Sequence, residues 1–165
     1  MSPLKAIEHI AKSDDRARAI TFFLFFARFE YALKRAGFVR DPEQPKADWD
    51  EYARRQSDLL DKNTEVQFRD AVAYLKKSPP KKQVISQHGE LGWSDDRFSG
   101  PLDLSRVFIL VRRVRNNLFH GEKFPIDPEG EFSRDRKLLD AGLNIMQACL
   151  DSDSELTRYF LEDPM

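Results

Sequence analysis

The chain has 165 residues, 41% of them hydrophobic and 33% charged, with a net charge of −1. That is enough apolar mass for one folded domain with a real core. The near-neutral balance excludes a protein that gathers polyanions through its net charge, so any nucleic-acid contact must be local. The single cysteine, Cys149, excludes an intramolecular disulfide and suits a reducing compartment. Charges between Met1 and Lys12 occupy the place where a signal peptide needs an apolar run. The longest apolar run, Ala19 to Ala27, is too short to span a bilayer. These points lead to the expectation of a cytoplasmic protein without membrane contact. Thirteen phenylalanines imply an aromatic-rich core, and only seven glycines with little strand-like alternation favour helices.

Pro3 to Ala11 reads as a short first helix, with Ser2 as cap and Pro3 at its first position. Ser13-Asp14-Asp15 marks the start of a long one from Asp15 to Ala36, ended by Gly37. Ile20, Phe23, Leu24, Ala27, Tyr31 and Leu33 or Lys34 run down it at three- and four-residue steps, and Phe22, Phe25, Phe26 and Phe29 widen its apolar surface nearly all round. A helix of that kind is buried in a core or against a partner. Arg40 to Ala47, with two prolines, reads as a loop. Helices are expected over Asp48 to Leu60 and Glu65 to Lys77, the second ended by Ser78-Pro79-Pro80. Lys81 to Gly100 is polar with three glycines, and reads as a long loop with at most one short ordered piece. Leu102 to Phe119 is the next strong helix. Phe124 to Gly130 is a loop, Ser133 begins a helix to about Leu150, and Asp153 or Ser154 caps a last short one. The expected architecture is a single all-α helical bundle over 1–165, with two long central helices and a long loop before the second.

The helix Leu102 to Phe119 leads into Arg115-Asn116-Asn117-Leu118-Phe119-His120-Gly121. At about 100° per residue, Val107, Leu110, Val111, Val114 and Leu118 share one stripe, which faces the core. Asn116 and His120 fall on the opposite side, one turn apart, with Ile109. Arg115 flanks the core stripe, but its long side chain can reach round. A face mixing polar chemistry with apolar residues suits a cleft or a partner better than open solvent. Arg106, Arg112, Arg113, Arg115 and Lys123 against Asp103 and Glu122 make this segment locally positive.

The run Arg115 to His120 resembles the R-x4-6-H motif of the HEPN superfamily of all-α domains, in which a polar residue such as Asn follows the arginine. The resemblance covers six residues, with the bundle pattern of Asp15 to Leu150 as context. It implies a metal-independent endoribonuclease, often a toxin or an antiviral or stress effector in defence. It also implies a homodimer in which both motifs line one composite active site. Carried over by position, Arg115, Asn116 and His120 are the catalytic residues. The local positive excess makes Arg112, Arg113 and Lys123 the candidate RNA contacts, although Arg112 and Arg113 suit an ordinary solvated, ion-paired face better. No cofactor is implied. Family members also occur beside antitoxin or nucleotidyltransferase partners.

The side chains suit that chemistry. RNA cleavage next to a 2′-hydroxyl needs a base for its proton, an acid for the leaving 5′-oxygen, and positive charge for the phosphorane oxygens. An imidazole titrates near neutral pH, and each such proton transfer contributes roughly 10²–10⁴-fold. A guanidinium offers a planar fork matched to phosphate oxygens. Asn116 can orient the imidazole or hold phosphate. The products would be a 2′,3′-cyclic phosphate and a 5′-hydroxyl.

Other readings stand beside this one. Glu30, a lone carboxylate on the most apolar helix, is expected to form a supporting salt bridge with Arg115 or a neighbouring arginine. His88 reads as a surface histidine, and His9 has no evident partner. Three scattered histidines and one cysteine give no metal-ligand spacing. Cys149 is expected to be buried and inert. Two rival functions remain. One is a non-catalytic RNA- or nucleotide-binding module, and the other is the protein-interaction partner of a two-gene system.

Overall fold

The computed structural model describes residues 14–95, 97–119 and 132–162. Helices dominate: α1 (Asp14–Arg35), α2 (Trp49–Arg55), α3 (Leu59–Lys62), α4 (Val66–Lys77), α5 (Leu104–Phe119), α6 (Phe132–Ser152) and α7 (Ser154–Leu161). Two small antiparallel ribbons interrupt them, β1 (Val39–Arg40) with β2 (Lys46–Ala47), and β3 (Lys82–Ile85) with β4 (Leu91–Ser94). Among the described residues, no helix is long and apolar enough to cross a membrane. The expected helix at Pro3 to Ala11 lies outside the described residues.

Local chemistry sets the helix ends. Gly37 takes φ +89° and closes α1, a conformation that would strain a residue with a Cβ. The Asp48 carboxylate accepts from the Glu51 amide at 3.0 Å and starts α2. Asp103 does the same for α5, accepting from the Arg106 amide at 2.8 Å. The Arg106 guanidinium then donates to the carbonyls of Ser99 and Pro101, fastening the approach to that helix. Asp153 caps α7 through the Leu156 amide at 3.0 Å.

The core is an aromatic nest centred on Trp49. Its ring lies 5.1 to 5.2 Å from those of Phe26, Phe29 and Phe108, so α2 is sandwiched between α1 and α5. Tyr52 continues the nest against Phe29, Phe38 and Phe108. Helix α6 packs on both α1 and α4, and α7 crosses α1. The closest approach of α6 to α1 is at Gly142, where a Cβ would stand 2.6 Å from the Phe22 ring. Phe22 is fully buried and cannot swing away.

Two expectations change here. The segment after Pro80 is not a plain loop, because Lys82 to Ser94 folds into the β3–β4 hairpin. The register pairs Lys82 with Ser94 and Gln83 with Trp93. Its turn is built on Ser86, whose hydroxyl accepts from the amides of His88 and Glu90. The first long helix also buries a different stripe from the one expected to lead it. Phe22, Phe26 and Phe29 face the core together with Leu33 of the expected stripe, whereas Ile20, Phe23 and Leu24 are 44%, 42% and 60% exposed. Both sets are apolar at helical spacing, and the packing of Trp49 and Gly142 on the first decides between them.

Candidate functional site: the outer face of α5

Helix α5 is held by one side. Val107, Phe108, Leu110, Val111 and Val114 are buried. Burying such a stripe at about 1.5–3 kcal/mol per large apolar side chain fixes the helix's rotation and therefore what it shows outward. The opposite side presents Ile109, Arg112, Arg113, Asn116 and Asn117 to a groove of about 380 Å³. The far wall of that groove is Lys82 and Gln83 at the start of β3.

That wall is fastened to the helix. Asn117, buried on the same face, donates its amide to the Lys81 carbonyl at 2.9 Å. The Arg113 guanidinium reaches the Pro80 carbonyl at 3.3 Å. Both contacts satisfy backbone oxygens where the chain leaves the Pro79-Pro80 stop and enters the hairpin. Arg113, expected as an RNA contact, thus also has a structural task.

The groove's chemistry is one-sided. Among the described residues its lining carries three cations (Lys82, Arg112, Arg113), three amides (Gln83, Asn116, Asn117) and one apolar residue (Ile109), with no carboxylate. Among the described residues, neither Lys82 nor Arg112 is engaged in an ion pair. Asp50 is an acid that feels the charge of Arg112. The Ser105 hydroxyl, 2.9 Å away, holds its carboxyl below the ordinary range, with help from Arg40 and a smaller field from Arg112. Asp50 is thereby committed to α2 and to the first turn of α5.

Arg115 sits at the edge of this face. Its side chain curls toward the outer side, where a guanidinium nitrogen donates to the Asn116 amide oxygen at 2.9 Å. Its carbon centre lies 5.6 Å from the Phe26 ring centroid, an arrangement that holds a guanidinium over an aromatic face. Half-buried Arg115 and exposed Asn116 are therefore brought together. His120 and Lys123 lie outside the described residues.

Glu30 departs from expectation. Its carboxylate accepts the Trp49 indole N–H at 2.9 Å, and no ion pair joins it to Arg115 among the described residues. A buried indole needs an acceptor, and the turn of α1 that stacks Phe29 on Trp49 places Glu30 to supply it. Glu30 is therefore a packing residue of the aromatic nest and not a support for the motif arginine.

Lys82, Gln83 and Asn117 are site residues that sequence reasoning missed. The signal for Asn117 was present, as a polar residue three positions from the core stripe member Val114. Nothing local singles out Lys82 or Gln83. His88 is exposed in the hairpin turn, away from the groove lining. Cys149 is fully buried, and burial pushes its thiol up from the ordinary range, which makes it a poor nucleophile. Among the described residues, no cluster of His, Cys, Asp and Glu could hold a metal ion. Comparison with known proteins returns no relative: no protein-family model matches the chain, and no curated protein or solved structure matches it either.

Proposed function

We propose that this protein is a HEPN-like, metal-independent endoribonuclease acting as a homodimer, with Arg115, Asn116 and His120 as catalytic residues and Arg112, Arg113 and Lys123 as RNA contacts. The observation that carries the proposal is the pairing of Arg115 with Asn116 at 2.9 Å beside a groove whose lining, among the described residues, holds three cations and no carboxylate. In this reading the groove binds the strand, the Arg115 fork steadies the phosphorane oxygens, and the His120 imidazole moves the protons. The exposed apolar ridge of Ile20, Phe23 and Leu24 supports a second copy as partner.

The test is RNA cleavage in the presence of EDTA. His120→Ala and Arg115→Ala are each expected to lower the rate by roughly 10²–10⁴-fold or more, with helical circular dichroism unchanged. Full activity in either variant would reject the assigned site. Dependence on magnesium would reject the mechanism.

A second reading is favoured by the same groove, because cations and amides hold RNA whether or not it is cut. A pure binding module would bind RNA with steep salt dependence and leave it intact through long incubation with the wild-type protein.

A further inference from the structure

The β3–β4 hairpin has no role in the motif reading, yet the start of β3 supplies one wall of the groove. We infer that Lys82 and Gln83 are substrate-binding residues, with Lys82 holding an RNA phosphate and Gln83 contacting a base edge across from Asn116. The inference rests on the RNA reading above and adds to it a second binding wall.

Three observations carry it. First, the hairpin is not a free-standing ribbon. Arg113 and Asn117 of α5 grip the carbonyls of Pro80 and Lys81 immediately before it, so the helix that carries the motif also sets the position of the opposite wall. A preorganised wall avoids the ordering cost that a free loop would have to meet on binding.

Second, the residue types divide the work. Lys82 is exposed and outside any ion pair among the described residues, as a phosphate contact must be. Gln83 is half-buried and faces Asn116 and Asn117 across the groove. Carboxamides both donate and accept, and can pair with the edges of an unpaired base. An acidic peptide would use the cations but has no need of amides on both walls.

Third, size selects the occupant. About 380 Å³ lies at the low end of ligand pockets, which run to about 1,000 Å³. That space takes one nucleotide unit and not a double helix.

The experiment measures binding of short, fluorescent 2′-O-methyl oligonucleotides, which resist 2′-hydroxyl cleavage, by anisotropy over a range of potassium chloride. Lys82→Ala is expected to weaken binding roughly tenfold and to lower the slope of log K against log salt by about 0.7, the value for one single-strand phosphate contact. Lys82→Arg should keep the wild-type slope. Gln83→Ala should leave the slope unchanged while compressing the affinity differences among oligo-A, oligo-C and oligo-U. Lys76→Ala, an exposed cation on α4 outside the groove, sets the baseline for general charge loss. If Lys82→Ala matches Lys76→Ala and Gln83→Ala leaves base preference intact, the hairpin inference is overturned while RNA binding by the wild type keeps the broader reading. If the wild type binds no oligonucleotide and cleaves no RNA, both fall together.

Discussion

The two long helices α1 and α5 each bury one stripe, and each turns a second, non-random face outward. On α1 the outward face is apolar, with Ile20, Phe23 and Leu24 each 42–60% exposed. On α5 it is cationic and amide-rich, with Arg112, Arg113 and Asn116 along a groove. The inward stripes are alike and say only that both helices belong to one core. The chemistry of the outward faces separates them. Apolar surface gains by meeting another protein surface, whereas clustered cations without carboxylates gain by meeting a polyanion.

Substitutions on the two helices should therefore divide into three kinds, and the core comes first. Phe29→Ala removes a ring that stacks on Trp49 and meets Tyr52 edge-on, and should cost about 3–5 kcal/mol in urea unfolding, with RNA affinity changing only as folded protein is lost. Gly142→Ala sets a Cβ against the buried Phe22 ring. Overpacking costs about 1–3 kcal/mol, and the better helix propensity returns about 1 kcal/mol, so a net loss visible as a lowered Tm is expected. Unchanged or raised stability would mean that the α1–α6 contact is looser than described.

The outward faces follow, with small effects on folding and specific effects on association. Leu24→Ser should change monomer stability by less than about 0.5 kcal/mol, yet shift the solution mass from dimer toward monomer in sedimentation. A dimer unaffected by Leu24→Ser would place the interface elsewhere. Arg112→Ala should be as mild for stability, leave the mass unchanged and weaken RNA binding with a shallower salt dependence. If the ridge variant loses RNA binding while the groove variant loses the dimer, the assignment of the two faces is reversed.

The smallest effect is in acid. The Asp50 carboxyl is held below its ordinary range by Ser105 and Arg40, so the native state favours its charged form. Its contribution is complete above the unfolded value of about 3.9 and is lost as pH falls through the lower folded value. Asp50→Asn should therefore flatten the acid limb of a stability–pH curve below about pH 4 while changing little at neutrality, within the roughly 0–1 kcal/mol range of exposed pairs.

Much of this arrangement can be read from residues close together in the chain. The α5 stripe, the Gly37 stop and the Asp48 and Asp153 caps all depend on neighbours within a turn or two. What escapes such reading depends on distant partners. Lys82-Gln83-Val84-Ile85 carries little strand signal of its own, and its position is set by Arg113 and Asn117, more than 30 positions later. Glu30 could be matched with an arginine only while the location of Trp49 was unknown. On α1, two apolar sets share helical spacing, and only the shapes of Trp49 and Gly142 select the inward one. Bundle and motif helix are thus matters of periodicity, whereas the groove's second wall is a matter of tertiary contact.

The central claim is that the outer face of α5 cuts RNA by internal attack of the 2′-hydroxyl. It is tested most directly by incubating wild-type protein with end-labelled RNA in EDTA and identifying the new termini by mass spectrometry. The account predicts 2′,3′-cyclic phosphate on one side of each cut and 5′-hydroxyl on the other. Intact RNA, or fragments ending in 3′-hydroxyl and 5′-phosphate, would contradict it.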